Sequence, residues 1–235
     1  MSKKKTEVPP IYQEKFLEDL NRFIANDRKY EDKDAMTCDK VFDNRDNYSL
    51  EKNCLQEIYT ENFTTTKDRG DALEKLIRGL FNRIELLSGI NHPGKQTIIG
   101  QLDIQYATVR DFIYDIWDFK LDDRPETEYI IGECKNHTDP VGREEIERIC
   151  WRAIKSACLT FFIATEYTQP AIDEIAYFNK NKRDIFIKNK GVYIIPLSLP
   201  MIKVVVENDI NFCRFLKWAI LHSKNINSII NYLKL

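Results

Sequence analysis

The run YIIGECK, Tyr129–Lys135, constrains this chain more than any other stretch of it. Its lead-in, Tyr129, Ile130 and Ile131, is wholly apolar, and a polar turn, NHTDPVG, follows at once. Over residues 143–158 apolar side chains then recur at helical spacing: Ile146, Ile149, Cys150, Ala153, Ile154 and Ala157. LTFFIAT comes next, short, apolar and bounded, the pattern of a strand covered on both faces. Strand, helix and strand in that order predict an α/β sheet with helices on its faces, not a bundle or a sandwich.

The rest of the chain extends that pattern without internal repeats. Residues 11–26 place Phe16, Leu20, Phe23 and Ile24 at helical spacing, and residues 27–47 are charge-dense, a loop or a solvated helix. A second helix is predicted over residues 49–59, capped by Ser49, with Lys52 and Gln56 facing water. NFTTTKDRGD is a polar break. From Asp71, DALEKLIRGLFNRIELL puts Leu73, Leu76, Ile77, Leu80, Phe81 and Ile84 on one helix face, and SGINHPGK reads as a turn. TIIGQLDIQY and VRDFIYDIWDFKL each read as a strand, and DIFIK and GVYIIPLSL near the end give one or two closing strands. PAIDEIAYFNKNKR begins a helix on Pro170, and residues 210–235 form two helices broken near 223–225. The predicted organisation is a helical appendage over 1–65, a core over 66–205 and a helical segment over 206–235.

With 235 residues and 43% hydrophobic content, the chain can build a sizeable core. No run of eighteen apolar residues is present and no apolar stretch follows the N-terminal lysines, so neither a membrane span nor a secretory signal is expected. The six cysteines are scattered with no C-x-x-C pair, which predicts reduced thiols in a cytoplasmic protein rather than zinc or disulfides. The net charge of −2 hides an asymmetry. Residues 67–140 hold 10 basic against 14 acidic side chains, and residues 141–235 hold 14 against 9. Acid beside base is what a metal–carboxylate site next to a phosphate-binding surface produces.

Hydrolysing a phosphodiester requires an activated water and stabilisation of the developing charge, which carboxylate-held divalent cations and a neighbouring lysine supply. Residues two apart on a strand share a face, so Glu133 and Lys135 meet one pocket. The triplet alone says little, since Asp27–Lys29, Glu31–Lys33 and Asp118–Lys120 have the same form. Only Glu133–Lys135 has an apolar strand ahead of it, an acid on an earlier strand and an amphipathic helix behind it.

In that order of parts the chain resembles the PD-(D/E)XK restriction-endonuclease-like superfamily, and within it the Mrr-type restriction endonucleases. GDALEKLIRGLF, GQLDIQ, IIGECKNH, PVGREEIERI and FFIATEYTQPAIDEIA carry the likeness, a little under half of the chain. The resemblance implies a mixed central sheet flanked by helices, with helical extensions at both ends. It implies Mg²⁺ (or Mn²⁺) held by Asp103 and Glu133, with Lys135 activating water or stabilising charge and Glu74 supporting the site. DNA is the implied substrate, defence against foreign DNA the implied role, and a homodimer or a partner subunit the implied assembly. Asp103 lies thirty residues before Glu133, farther than the family usually has, and Asp115 or Asp118 competes with it as first acid. A binding or regulatory protein without chemistry, and an RNA-cleaving nuclease, are the alternatives.

Lys180, Lys182, Arg183, Lys188 and Lys190, beside Tyr177 and Phe178, are the candidate nucleic-acid-binding patch; a solubilising loop is the competing reading. Arg143, Arg148, Arg152 and Lys155 recur on one helix with Glu144, Glu145 and Glu147 interleaved, which favours a salt-bridged surface. Cys134 points away from Glu133 and Lys135, His92 and His137 read as turn residues, and Trp117 and Trp151 are assigned to the core.

Overall fold

The computed structural model describes residues 10–60, 63, 65–89, 96–97, 100–108, 112–118, 129–136, 139–156, 159–181, 193–225 and 228–233. In chain order these form α1 (Pro10–Tyr30), α2 (Ser49–Thr60), α3 (Thr66–Asn82), β1 (Leu87–Gly89), β2 (Gln96–Thr97), β3 (Gly100–Gln101), β4 (Ile104–Thr108) and α4 (Phe112–Asp115). There follow β5 (Tyr129–Lys135), α5 (Arg143–Ser156), β6 (Leu159–Ala164), α6 (Gln169–Asn181), β7 (Ile194–Ser198), α7 (Leu199–Glu207), α8 (Phe212–Ser223) and α9 (Ile230–Leu233).

The main sheet has the order β1-β4-β5-β6-β7 and is mixed, with β1, β4 and β5 antiparallel and β6 and β7 added parallel to β5. The predicted α/β class with flanking helices is therefore observed. β5 is the seam: Ile104 faces Gly132 on its antiparallel side, and Glu133 faces Phe162 on its parallel side. Gly132 sits where a Cβ would meet the Ile104 side chain at 3.1 Å and the Phe161 carbonyl oxygen at 3.3 Å, so a larger residue there would push the neighbouring strands apart by a few tenths of an ångström.

α3 covers one face of this seam, Phe81 stacking on Tyr106 of β4 and meeting Phe161 of β6 edge-on. Its start is a capping box in which Thr65 accepts from the Asp68 N–H and Asp68 accepts from the Thr65 N–H, worth about 1 kcal/mol. The polar break thus contains the helix's first turn rather than preceding it. α3 also ends earlier than its periodicity suggests. Arg83 caps it, Ile84 bridges to Phe42, and Leu87 opens β1, although Ile84 and Leu87 continue the helical spacing.

Four further expectations need correction. TIIGQLDIQY is not one strand: β2 and β3 pair as a small hairpin, and Asp103 occupies a bend before β4. Phe112–Asp115, expected in a strand, is one turn of helix that buries Phe112, Ile113, Ile116 and Trp117 on one side, a packing its alternation does not reveal. Lys52, expected to face water, is half-exposed and also pairs with Asp209 at 2.7 Å. Trp151 is not core: it is 63% exposed, whereas Trp117 is fully buried.

The terminal segments share the core of the sheet. Phe16 of α1 meets Phe215 and Trp218 of α8 edge-on and touches Tyr232 of α9, and all four belong to one continuous apolar cluster with the sheet residues. The charge-dense stretch is, past the end of α1, an irregular and largely exposed segment as expected, but several of its acids are tied to α8. Arg214 of α8, with no exposed side-chain area, binds Asp27 at 2.6 Å, Glu31 at 2.8 Å and Asp39 at 2.7 Å. Lys217, one turn on, binds Asp27 at 2.7 Å and Asp118 at 2.6 Å. Among the described residues no helix is long and apolar enough to cross a membrane, and Cys38, Cys54, Cys134, Cys150 and Cys213 are free thiols.

Candidate functional site

The end of β5 and the bend before β4 lie side by side because these strands pair antiparallel, Ile104 opposite Gly132. Asp103 therefore arrives beside Glu133 although thirty residues separate them. The Asp103 Oδ2 accepts the Cys134 backbone N–H at 2.7 Å, so the main chain of β5 itself holds this carboxylate. The other polar neighbour comes from α3: Arg78 donates to the Asp103 carbonyl oxygen and, at 3.3 Å, to Glu74 Oε2. Glu74 and Arg78 stand one helical turn apart, the spacing that lets a glutamate and a following arginine meet.

Glu133 and Lys135 share the opposite face of β5 from Cys134, with Ile131 and Leu102 as a small apolar pair of their own. Lys135 Nζ lies 2.6 Å from Glu133 Oε1, and Arg152 Nη1 of α5 lies 2.8 Å from Glu133 Oε2. Both carboxylate oxygens are thus engaged. Asn136, the next residue, anchors the strand end: its amide donates to the Arg69 carbonyl of α3 at 2.9 Å and accepts from the Thr165 hydroxyl at 3.2 Å.

The electrostatics follow from burial and like charge. Burial, and after it the negative charge of Asp103, push the Glu74 carboxyl up to about 7, against the opposing pull of Arg78. The same two causes raise Glu133, and Lys135 and Arg152 only partly offset them. Burial works to lower Lys135, but Glu133, Asp103 and Glu145 outweigh it and raise its pKa, so the amine stays an ammonium. Burial likewise drives the Cys134 thiol well up, with Asp103, Glu74 and Glu133 adding to it, which removes it as a nucleophile.

Glu74, Asp103 and Glu133 offer the hard oxygen donors that Mg²⁺ or Mn²⁺ prefers. The mutual repulsion that raises their proton affinity is the same field that draws in a cation. Among the described residues no three acidic, histidine or cysteine side chains converge as a ready metal cage; Glu133 is turned onto its two cationic neighbours instead.

Of the four residues singled out from the sequence, Asp103 neighbours both Glu74 and Glu133, and Lys135 lies against Glu133. Asp118 is not with them; it pairs with Lys217 and, with the exposed Asp115, lines a surface cavity against α1. Of the basic patch, Lys180 is exposed at the end of α6, and Lys182, Arg183, Lys188 and Lys190 lie outside the described residues, as do His92 and His137. Arg78 and the Arg152–Glu133 contact were not foreseen. Their signals were the Glu74–Arg78 spacing and the run of bases in the second half of α5. Arg143 and Arg148 do form surface pairs, with Glu147 at 2.8 Å and Glu144 at 4.0 Å. No family model, no curated protein and no solved structure matches this chain.

Proposed function

We propose that the protein is an endonuclease of the PD-(D/E)XK restriction-endonuclease-like type, close to the Mrr group, that hydrolyses phosphodiester bonds in DNA with Mg²⁺ or Mn²⁺. One observation carries the reading. Two acids, Asp103 from the bend before β4 and Glu133 from the antiparallel neighbour β5, lie side by side, with Lys135 against the second and Glu74 of the preceding helix beside the first. The order α3-β1-β4-β5-α5-β6, an antiparallel meander continued by a parallel strand, is the layout expected of that fold.

On this reading Asp103 and Glu133 hold the cation, with Glu74 supporting them. When bound, the cation acidifies the attacking water and neutralises charge on the phosphoryl oxygens. Lys135, held as an ammonium, cannot take a proton; it orients the water and stabilises negative charge as it develops. The Cys134 N–H fixes Asp103, and the strand spacing fixes Lys135 relative to Glu133, so neither group must reorganise during the reaction. One such site cuts one strand, and a homodimer or a partner subunit supplies the second cut. Defence against foreign DNA in the cytoplasm is the biological role we assign.

A second reading has its own observation. Both Glu133 oxygens are occupied by Lys135 and Arg152, which suits a protein that binds nucleic acid and does not cut it. Supercoiled plasmid incubated with Mg²⁺ or Mn²⁺ separates the two. Wild type should nick or linearise it, and Asp103→Ala, Glu133→Ala and Lys135→Ala should not. Retained cutting by Asp103→Ala would remove that residue from the metal set. An uncut plasmid that still shifts in a gel with all four proteins would establish the binder.

A further inference from the structure

After Arg143 at its start, helix α5 carries its charges in two blocks, Glu144, Glu145 and Glu147 first and Arg148, Arg152 and Lys155 after them. Positions 148, 151, 152 and 155 fall on one stripe, three and four residues apart. Trp151 stands in the middle of that stripe and is 63% exposed. The side chain of Arg148 beside it is 73% exposed. The other two tryptophans, Trp117 and Trp218, are buried. Arg148 is the base of the stripe left most open: Glu147 is taken up by Arg143 and Glu144 reaches Arg148 only at 4.0 Å, whereas Arg152 is paired with Glu133. Arg152, the next residue in sequence, is in contact with Glu133 of the candidate active site. An exposed aromatic between bases therefore adjoins the place where a phosphate would be attacked.

We infer that this stripe receives a DNA strand with an unpaired base, Trp151 stacking on the base and Arg148 meeting the phosphates. The inference rests on the nuclease reading of the neighbouring site and deepens it, because it names the substrate as DNA opened or single-stranded at the cut. A tryptophan face stacks on any base whose own face is free, with little regard to sequence, whereas an intact duplex keeps those faces covered. Flanking arginines supply the salt-dependent hold on the backbone.

The test uses the full chain in EDTA, so that binding is read without cleavage. With Trp117 and Trp218 buried, emission sensitive to added acrylamide belongs to Trp151. Titration with a dodecamer of thymidylate should quench that emission, and a paired duplex of equal length should quench it far less. Trp151→Ala should weaken dodecamer binding by about tenfold, and Trp151→Phe should retain most of it. Arg148→Ala should reduce the slope of log affinity against log salt by about one. Unquenched emission, equal binding by Trp151→Ala, or a preference for intact duplex would each overturn the inference. Tighter, equally Trp151-dependent binding of an RNA dodecamer would overturn the choice of DNA. Plasmid cutting by wild type with Trp151→Ala binding unchanged would leave the nuclease reading standing and remove this surface. Trp151-dependent binding by a protein that cuts nothing would do the reverse.

Discussion

Two clusters of charge, one around α8 and one around β5, are built from the same residue types and tuned in opposite directions. Around α8, Arg214 and Lys217 draw in Asp27, Glu31, Asp39 and Asp118. Burial works to raise the Asp39 carboxyl, but hydrogen bonds from Arg214 and Arg28 outweigh it and hold it down at about 2. Around β5, Lys135 and Arg152 both face Glu133 and Arg78 faces Glu74, and yet Glu74 and Glu133 are both raised. The difference is geometry. Arg214 reaches its carboxylates through three nitrogens, two of them gripping Asp39 together, whereas the β5 acids lie close enough to repel one another. The first arrangement relieves its charges and fixes the N-terminal segment to α8. The second leaves acidic groups with affinity to spare for a proton or a metal cation.

The comparison is most exposed to failure at its two central cations. Arg214→Met should cost about 3–5 kcal/mol in urea unfolding, because it removes the fully buried cation from Glu31 and leaves Asp27 and Asp39 with only Lys217 and Arg28. Lys135→Met should cost under about 1 kcal/mol, since its partner Glu133 keeps Arg152. Its plasmid cutting should nonetheless fall by roughly 100-fold or more. If the two variants lose similar stability, the β5 cluster is structural and the contrast collapses.

Hydrogen bonding by Tyr48 offers a middle-sized check on how firmly α2 and α8 are joined. Its hydroxyl donates to the Ile210 carbonyl at 2.6 Å and accepts the Phe212 N–H at 3.0 Å, all within the buried core. Tyr48→Phe leaves both backbone groups without that partner and should cost about 1–3 kcal/mol, read from the urea midpoint at unchanged slope.

Smaller effects test the opposite tuning through pH. Glu74 holds its proton more tightly folded, near 7, than at the ordinary value of 4.5. Its contribution to stability is therefore complete below about 4.5 and is lost as pH rises through 7. Glu74→Gln mimics the protonated acid, so in EDTA its Tm should exceed wild type by a few degrees at pH 8 and match it at pH 4. Asp39 runs the other way. Its folded value, about 2, lies below the ordinary 3.8, so its contribution is present above about pH 4 and lost as pH falls toward 2. Asp39→Asn should be less stable than wild type at pH 6, and the gap should close at pH 2. A gap that persists at pH 2 would mean that Asp39 acts through packing rather than charge.

What could be read from the sequence is instructive at the level of single elements. β5, α5 and β6 were legible because burial on one face or two leaves an unbroken apolar run or a helical stripe. β1 was not, because Leu87 continues the spacing of α3 and three residues carry no period of their own. α7 went unread among β-branched residues, although Ser198 as cap and Pro200 in the first turn mark its start. α4 looked like a strand because aromatic and β-branched residues crowd it; only its packing shows a helical turn. Trp151 lies one position off the buried stripe of Ile149, Cys150 and Ala153, a displacement that composition cannot register. At the site, the strand-borne pair Glu133 and Lys135 followed from two-residue alternation. Arg78 and Arg152 did not, because the contacts of a helix side chain with a neighbouring strand depend on tertiary placement.

The position of β5 in the sheet also bears on synthesis. Everything on its antiparallel side, from α3 through β4, is made before it, and everything on its parallel side comes after. At about 5–20 residues per second, several seconds pass between completion of Lys135 and emergence of β6 and β7. During that interval Glu133 and Lys135 already exist on the ribosome-bound chain, but Arg152 and the neighbouring strand do not yet flank them. The strand that carries Glu133 and Lys135 is also the meeting line of the early and late halves, so the candidate site remains unfinished until nearly the whole sheet has been delivered.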